Sequence, residues 1–228
     1  MQAKLESVWV VIAAYCEAPV IASVIADVNA RGYRIVVVDD GSPDATGEIA
    51  SAAGATVVRH PINLGQGAAL QTGITFALSA GADVIVTFDA DGQHCAGEIA
   101  GLIDALRQDC ADFALGSRFL RAGVSLSMSR RMLLKAATWF TRVTTSLRVT
   151  DTHNGLRAMT RRGASKIALR QNRMAHASEI LHQIADSGLK YVERPVTVEY
   201  TAYSLAKGQK LGDALFILTD LFARSLQR

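Results

Sequence analysis

Four short runs rich in valine and isoleucine, separated by alanine-rich stretches of helical period, constrain the fold of this chain more than any other feature. They lie at residues 8–13, 35–38, 55–59 and 84–88. Runs that are apolar throughout, rather than alternating with polar residues, predict strands buried on both faces. We therefore expect an α/β fold in which a mostly parallel central sheet is flanked by helices, with its ligand crevice beyond the carboxyl ends of the strands.

The residue pattern also predicts the remaining elements. Ser42 followed by Pro43 is typical of a helix start and predicts a helix over residues 43–53. After residue 117 we expect a helix over 128–147, a strand over 156–159, a helix over 175–187, strands over 189–193 and 196–200, and a final helix over 210–226. No Pro- or Gly-rich linker is present, so residues 1–117 and 118–228 are interpreted as two lobes of one domain.

Charge is strongly segregated along the chain. Residues 1–117 contain 14 acidic and 5 basic side chains, whereas residues 118–173 contain 13 Lys or Arg and a single acid, Asp151. Such a distribution attracts anions to the middle of the chain, and the candidates are phosphorylated ligands, nucleic acid or an anionic membrane surface.

Several classes of protein are excluded. The longest apolar run, residues 8–16, is about half of the ~20 residues that a membrane helix needs. The first residues lack the cleavage site of a secretory signal, so we expect the chain in the cytoplasm. Its three cysteines have no CxxC spacing and predict neither a disulfide framework nor a zinc site.

Residues 87–94, Thr-Phe-Asp-Ala-Asp-Gly-Gln-His, place two carboxylates just after a predicted strand. At ~4 Å and an effective dielectric constant of ~20, the charges of Asp89 and Asp91 would repel by roughly 4 kcal/mol. A divalent cation reverses this repulsion, and Mg²⁺ or Mn²⁺ is commonly held by one or two carboxylates plus substrate phosphates. The pattern favours a metal that holds a diphosphate; a solvated Asp-Gly turn is the alternative.

A second acidic pair, Asp39 and Asp40, follows the strand at residues 35–38. Successive strand residues point to opposite faces, so we expect one acid in the crevice while the other orients the turn. An acid in the crevice can accept a hydrogen bond from a ribose hydroxyl or a base N–H. Glu17 would lie beside the pair, unless it is simply a charge at a helix N-terminus.

Six segments together make the chain resemble family 2 glycosyltransferases of the GT-A fold, on the branch of polyprenyl-phosphate (dolichyl-phosphate) mannosyl- and glucosyltransferases. They are VVIAAYCE at 10–17, VVVDDGSPDAT at 36–46, HPINLGQGAAL at 60–70, FDADGQH at 88–94, GSR at 116–118 and DTHNGLR at 151–157. The resemblance implies a Rossmann-like GT-A domain with a nucleotide-sugar-binding lobe, residues 1–117, and a smaller acceptor-side lobe, residues 118–228. Ala13 and Cys16 replace the Pro and Asn that are usual in the first segment.

The resemblance also implies roles for individual residues on the donor side. Asp91 is the firmer metal ligand, Asp89 contacts the ribose or metal-bound water, Gln93 is an additional ligand, and Mg²⁺ or Mn²⁺ is the cofactor. The residues assigned to the nucleotide sugar are Ala14, Tyr15, Glu17, Asp39, Asp40, Gly67, Asp89, Ala90 and Asp91.

On the acceptor side, the resemblance places Arg118 on phosphate, and Arg130 or Arg131 could hold the acceptor phosphate. A hydroxyl acceptor needs a general base, whereas a phosphate is already ionised near neutral pH. Asp151 and Glu179 are the candidate bases. A structural ion pair is the alternative for Asp151, and a solvated helix position is the alternative for Glu179.

Two further segments leave alternatives open. The helix predicted at 128–147 carries Met132, Trp139 and Phe140 in one stripe with basic residues around it, as a helix lying on anionic lipid would. Burial against the sheet explains the stripe equally well. Residues 203–210 resemble the basic, glycine-containing loop that closes over the nucleotide sugar, and an ordinary loop is the alternative.

The predicted function is metal-dependent, inverting transfer of a hexose from a nucleoside diphosphate to a polyprenyl phosphate or related lipid-linked acceptor at the cytoplasmic membrane face. Transfer to a sugar hydroxyl in cell-surface polysaccharide assembly is one alternative, and a catalytically silent nucleotide-sugar-binding or membrane-surface adaptor is another. The partners considered besides the substrates are an anionic membrane, a membrane protein and a second copy of the chain. Nucleic acid is not expected, because the basic block lacks a recognised reading module.

Overall fold

A computed structural model of the chain describes residues 7–121, 128–171, 175–199, 201 and 203–204. The strands are β1 (Val8–Ala14), β2 (Arg34–Asp39), β3 (Thr56–Arg59), β4 (Val84–Asp89), β5 (Phe113–Ser117), β6 (Arg157–Thr160) and β7 (Tyr191–Pro195). The helices are α1 (Ile21–Asn29), α2 (Thr46–Ala52), α3 (Gln66–Ser79), α4 (Ile99–Gln108), α5 (Met128–Thr145), α6 (Arg161–Ala164) and α7 (Ala175–Ser187). Short 3₁₀ turns lie at Ala96–Glu98 and Arg118–Leu120.

The seven strands of the described residues form one sheet in the order β3-β2-β1-β4-β6-β5-β7. β6 is antiparallel to β4 and β5, and the other pairs are parallel. β2 and β3 lie on one side of β1, and β4 lies on its other side. The strand order therefore reverses between β1 and β4, which is the topological switch point of the sheet. Because Ala14 pairs with Asp39 and Ala13 pairs with Asp89, the acidic strand ends lie along one rim of the sheet at this point.

Side chains alternate between the two faces of the sheet and form a core on each face. Val10 and Ile12 of β1 belong to the core that includes buried residues of α1 and α4, whereas Val11 belongs to the core that includes buried residues of α3 and α7. α3 packs so closely that a Cβ atom at Gly73 would overlap the Val11 side chain. Helices on both faces therefore fix the strand ends that form the rim.

Most predicted elements are confirmed, with two corrections. The helix expected over residues 43–53 begins only at Thr46, because the Ser42 hydroxyl accepts a hydrogen bond from the backbone N–H of Cys16 rather than capping a helix. The strand expected over 196–200 is wrong for its described residues, 196–199. The backbone N–H of Thr197 donates to the Glu98 carboxylate instead of to a neighbouring strand. The final helix expected at 210–226 lies outside the described residues.

The outward face of α5 carries a stripe of exposed apolar side chains. Met132, Trp139 and Val143 are 66%, 68% and 63% exposed, whereas Thr138 and Thr141 are buried on the opposite face. The stripe predicted from the sequence comprised Met132, Trp139 and Phe140. Burial against the sheet, one of the two explanations considered for it, is therefore wrong for Met132 and Trp139, and the side chain of Phe140 lies outside the described residues. None of the described helices is both long enough and apolar enough to span a bilayer.

Candidate active site

The chain turns sharply after β1 and buries the Glu17 side chain at the end of that strand. Cys16 has a φ of 55°, a left-handed conformation that is uncommon for residues other than glycine. The Glu17 carboxylate accepts a hydrogen bond of 2.9 Å from the hydroxyl of Tyr203, near the carboxyl end of the described chain. Burial, followed by the hydrogen bond to Glu17, raises the pKa of Tyr203. Tyr203 is thus a neighbour of the predicted nucleoside pocket that the sequence assigned only to a loop.

Asp39 supports the turn after β2. Its side chain is fully buried, its Oδ1 accepts a 2.9 Å hydrogen bond from the Ser42 N–H, and its Oδ2 lies 3.5 Å from Nε of Arg59. A Cβ atom at Gly47 would lie only 2.7 Å from the same Oδ2, so the first turn of α2 covers the carboxylate. These contacts fit the turn-orienting role predicted for one acid of the pair.

Asp40 organises the loop between β3 and α3. Its Oδ1 lies 2.7 Å from Nδ1 of His60 and accepts a 2.9 Å hydrogen bond from the Leu64 N–H, and its Oδ2 accepts one of 2.7 Å from the Gly65 N–H. The carboxylate is therefore committed to the loop that leads into α3. Contact of Asp39 and Asp40 with a nucleoside stays a prediction.

Asp89 is enclosed by side chains from several parts of the chain. His94 Nε2 lies 3.0 Å from its Oδ2, and Gln66 Nε2 lies 3.5 Å from its Oδ1. A Cβ atom at Gly155 would overlap the carboxylate. Burial alone would raise the pKa of Asp89, but the His94 hydrogen bond and the charges of His94 and Arg157 outweigh it and lower the pKa. Asp89 is therefore an ionised group in a fixed position.

Asp91 has the opposite electrostatic environment. Burial and the charge of Asp89 raise its pKa, and its Oδ1 accepts a 3.1 Å hydrogen bond from the Gln93 N–H. In the described residues, no group of three or more His, Cys, Asp or Glu side chains could hold a metal ion by itself. The acidic pair instead fits Mg²⁺ or Mn²⁺ that takes its other oxygen ligands from a diphosphate. Such a cation would also neutralise the repulsion that raises the Asp91 pKa.

Arg118, in the 3₁₀ turn after β5, is held by a buried ion pair. Its Nε donates to Oδ2 of Asp151 at 2.6 Å, its backbone N–H donates to the same oxygen at 3.2 Å, and its Nη2 donates to the His153 carbonyl oxygen at 2.6 Å. Arg118 is 6% exposed and Asp151 is buried as well. The structure thus has the ion pair that was the alternative for Asp151, and the carboxylate is occupied by the Arg118 guanidinium and by backbone N–H groups.

Arg157, the first residue of β6, is a site residue that the sequence placed only within a motif. Burial lowers its pKa to about 10, and the charges of Asp89 and Asp151 act against that shift. Because β6 is antiparallel to β4, it begins at the rim where β4 ends. A basic residue at the start of an otherwise apolar strand was the available sequence signal.

Glu179, the second candidate base, supports the segment before α7. Its carboxylate accepts hydrogen bonds of 3.0 Å from the Arg170 N–H and 2.8 Å from the Gln171 N–H. This geometry favours a structural role over the predicted catalytic one.

His176, one turn earlier on α7, is buried, and its charge contributes to the low pKa of Asp89. A Cβ atom at Gly67 would overlap the Gln171 carbonyl oxygen, so Gly67 lets α3 approach this segment.

Other predicted residues are placed less directly. Ala14 and Ala90 are buried at the ends of β1 and β4, and Tyr15 is exposed after β1. The side chains of Arg130 and Arg131, in the first turn of α5, lie outside the described residues, as do residues 205–210 of the predicted closing loop.

Comparisons with known proteins agree with this arrangement. The model of the family described as "Glycosyl transferase family 2" matches residues 9–168. A UDP-N-acetylglucosamine–dolichyl-phosphate N-acetylglucosaminyltransferase of Methanococcus voltae is 30% identical over 223 residues, which cover 88% of this chain and 89% of that protein. A polyprenol monophosphomannose synthase of Mycolicibacterium smegmatis is 30% identical over 200 residues, which cover 82% of this chain and 75% of that protein.

A solved structure shares the architecture. Glucosyl-3-phosphoglycerate synthase of Mycobacterium tuberculosis, in complex with Mn²⁺ and uridine-diphosphate-glucose, superposes with a TM-score of 0.70 at 20% identity. The match covers 98% of this chain and 79% of that one. The expected GT-A fold is confirmed.

Proposed function

Because the chain belongs to glycosyl transferase family 2, we propose that it is an inverting enzyme that moves a hexose from a nucleoside diphosphate to a polyprenyl phosphate or related lipid-linked acceptor. One observation carries the proposal: carboxylates and buried guanidinium groups meet at one rim of the sheet. Asp89 and Asp91 suit a cation shared with a leaving diphosphate, whereas Arg118 and Arg157 suit the charge of a second phosphate. The two relatives, a dolichyl-phosphate N-acetylglucosaminyltransferase and a polyprenol monophosphomannose synthase, support such an acceptor.

On the donor side, residues 1–117 would hold the nucleotide sugar. Asp91, Asp89 and Gln93 would bind Mg²⁺ or Mn²⁺, which when present supplies positive charge to the leaving diphosphate. His94 and Arg157 keep Asp89 ionised and immobile, so this ligand needs no rearrangement when the donor binds. Glu17, at the end of β1, would contact the nucleoside.

On the acceptor side, residues 118–228 would position a nucleophile that is already charged. Neither candidate base is well placed for proton abstraction, because Asp151 pairs with Arg118 and Glu179 accepts backbone N–H groups. An acceptor phosphate needs no base near neutral pH and requires only positioning and charge stabilisation. The same geometry is unfavourable for a sugar hydroxyl, which would have to lose a proton.

The exposed stripe on α5 supports a location at a membrane surface, where a polyprenyl acceptor resides. Lys135 and Arg142 are exposed. They lie about two turns apart on α5, on the same flank of the stripe. Apolar side chains beside cations are the pattern of a helix that lies in the interface of an anionic bilayer. We place this surface at the cytoplasmic face, where nucleoside diphosphate sugars are available.

A transfer assay tests the proposal. The full chain would be incubated with UDP-, GDP- or dTDP-hexoses and a detergent-solubilised polyprenyl phosphate, with Mn²⁺, Mg²⁺ or EDTA. We expect a polyprenyl phosphohexose whose anomeric configuration is opposite to that of the donor, and no product with EDTA. Asp91→Asn should lower the rate by about 10²–10³, the range seen when a group that stabilises developing charge is removed.

Asp104→Asn is the matched control, because Asp104 is an exposed carboxylate on α4 that pairs only weakly with Arg107. Its rate should equal that of the unmodified chain. Transfer to a glycan hydroxyl but not to polyprenyl phosphate would overturn the proposed acceptor. Donor binding without transfer to either acceptor would instead support a binding protein.

A further inference from the structure

A carboxylate outside the predicted site, Glu193, contacts the segment that carries Asp151. Glu193 lies on the edge strand β7, paired in register with Leu115 of β5. Its Oε1 and Oε2 accept hydrogen bonds of 2.8 and 3.0 Å from the Thr150 N–H, and Oε1 also accepts one of 3.0 Å from the Thr150 hydroxyl. A longer contact of 3.4 Å joins the Asp151 N–H to Oε1. One carboxylate thus holds two successive residues of the connection between α5 and β6.

These contacts continue to both sides of Arg118. The Thr150 hydroxyl lies 2.6 Å from the hydroxyl of Ser117, the residue just before Arg118. Asp151, the next residue after Thr150, forms the ion pair with the Arg118 guanidinium. Glu193 therefore acts on Arg118 only indirectly. It holds the segment that contains Asp151, the ion-pair partner of Arg118.

The chemistry of Glu193 argues against simple packing. Burial raises the pKa of Glu193, and the Thr150 hydrogen bonds oppose that effect. An apolar residue of similar size would avoid the cost of burying a carboxylate, but it could not accept two backbone N–H groups and a hydroxyl. A carboxylate at this position therefore fixes residues 150 and 151, and with them the ion-pair partner of Arg118.

We propose that Glu193 is a positioning residue for acceptor transfer, which sets Asp151 and so aims the Arg118 guanidinium at the acceptor phosphate. This inference rests on the proposed function of Arg118. It assigns Glu193 no contact with the substrate, and its effect should appear in the steps that involve the acceptor and not in donor binding.

The test compares Glu193→Gln with a matched control, Glu98→Gln. Glu98 accepts hydrogen bonds from the N–H and hydroxyl of Thr197, as Glu193 does from Thr150. Glu98 also forms an ion pair with the exposed side chain of Arg121, but none of its hydrogen bonds leads to Asp151 or Ser117. With Glu193→Gln we expect kcat/KM for polyprenyl phosphate to fall about ten- to a hundredfold, the value of a hydrogen bond to a charged group, while the Kd of the nucleotide sugar stays the same. With Glu98→Gln, kcat/KM should stay within about twofold of the unmodified chain, even if its melting temperature falls by as much as that of Glu193→Gln.

A double-mutant cycle with Asp151→Asn identifies the path of the effect. If Glu193 acts through Asp151, the combined variant should lose little more activity than Asp151→Asn alone, because residues of one network are not additive. Fully additive losses, or a loss in Glu193→Gln that Glu98→Gln reproduces, would overturn the proposal.

A second measurement separates this proposal from the proposed acceptor. Inorganic phosphate would be titrated by calorimetry into the unmodified chain, Arg118→Gln and Glu193→Gln. If the unmodified chain transfers no hexose to polyprenyl phosphate, the proposed acceptor is wrong and the titration alone decides about Glu193. Weaker phosphate binding in both variants than in Glu98→Gln supports positioning of Arg118, and unchanged binding in Glu193→Gln rejects it.

Discussion

Buried charges at the rim are arranged as a network of opposite signs. Arg118 pairs with Asp151, and Arg157 interacts electrostatically with both Asp89 and Asp151. Removing one member of such a network leaves a buried charge without its partner, which commonly costs about 3–5 kcal/mol. The same residues therefore contribute to the stability of the rim and to its proposed chemistry.

His153 should make the stability of the protein depend on pH. Burial lowers its pKa from 6.5 to about 4, so the folded protein favours the neutral imidazole. Above pH 6.5 both folded and unfolded forms are neutral and the effect vanishes. As pH falls from 6.5 towards 4, the unfolded chain gains a proton first, and the free energy of unfolding should fall by about 1–2 kcal/mol at pH 5 from this group.

Urea unfolding at pH 7 and pH 5 measures this dependence. His153→Asn should show a smaller difference between the two pH values than the unmodified chain. Equal differences in the two proteins would show that His153 does not titrate in this range.

Gly155 should be intolerant of a side chain for a local reason. A Cβ atom there would overlap the Asp89 carboxylate, so Gly155→Ala must displace Asp89 or the β6 connection, at a cost of about 1–3 kcal/mol. Expressed as a free energy, the loss of transfer activity should exceed the loss of stability, because Asp89 loses its fixed position. Gly101→Ala, in α4 with no neighbour within 4 Å of the added Cβ, should retain activity and be slightly stabilised. Activity assays and melting temperatures measured on both variants check this.

The sequence indicated which side chains gather at the rim, but not which hydrogen-bond and ion-pair partners each of them has. Asp39, Asp40 and Asp89 follow buried strands, which predicts their place. The partners of Asp40 come from residues 60–65, and those of Asp89 come from 66, 94 and 157. Such pairings depend on three-dimensional packing, for which a single sequence has no local signal.

At the scale of the elements, α5 has three large apolar side chains on its exposed face, Met132, Trp139 and Val143. Its helical period was evident in the sequence, yet the period alone could not tell which face of the helix meets the sheet. The structure buries the face of Thr138 and Thr141 and leaves Trp139 outward. Local pattern thus predicted the element, and tertiary packing determined its orientation.

Trp139→Ser should weaken binding to anionic vesicles. Burying a large apolar side chain contributes about 1.5–3 kcal/mol, so the partition coefficient should fall by roughly tenfold or more. Vesicle flotation with phosphatidylglycerol-containing and purely zwitterionic liposomes measures the effect. Ile62→Ser, which removes an exposed apolar side chain outside α5, should bind like the unmodified chain. Equal losses in both variants would contradict a specific role for α5.

One helix start and one predicted strand differed from prediction because side chains competed for backbone groups. The Ser42 hydroxyl binds the Cys16 N–H, and Glu98 binds the Thr197 N–H, so neither segment follows its local propensity. Both partners are distant in sequence, which places these corrections beyond reach of a local pattern.

At the scale of the whole molecule, ligand binding should raise stability. A nucleotide sugar at 100 times its Kd adds about 2.7 kcal/mol, which corresponds to a rise of roughly 5–10 °C in Tm for a chain of this size. We expect the full rise only with Mn²⁺ or Mg²⁺ present, and a much smaller one in Asp91→Asn. A thermal-shift panel of UDP, GDP and dTDP sugars measures this, and an equal rise with EDTA would argue against a metal-bound donor.

The overall architecture was largely predictable, whereas the sheet order was not. Continuous apolar strands alternating with helices led to the parallel part of the sheet, β1 to β4. The position of β6 between β4 and β5 arises from pairings 42 or more residues apart, such as Leu115 with Arg157, which no local periodicity encodes.

The antiparallel course of β6 limits how this protein can vary in length. Its register sets Thr87 and Leu115 on either side of Arg157. A one-residue insertion or deletion in the five residues between Asp151 and Arg157 that shifted this register would turn the guanidinium to the opposite side of the sheet. We therefore expect the connection ahead of β6 to keep a fixed number of residues.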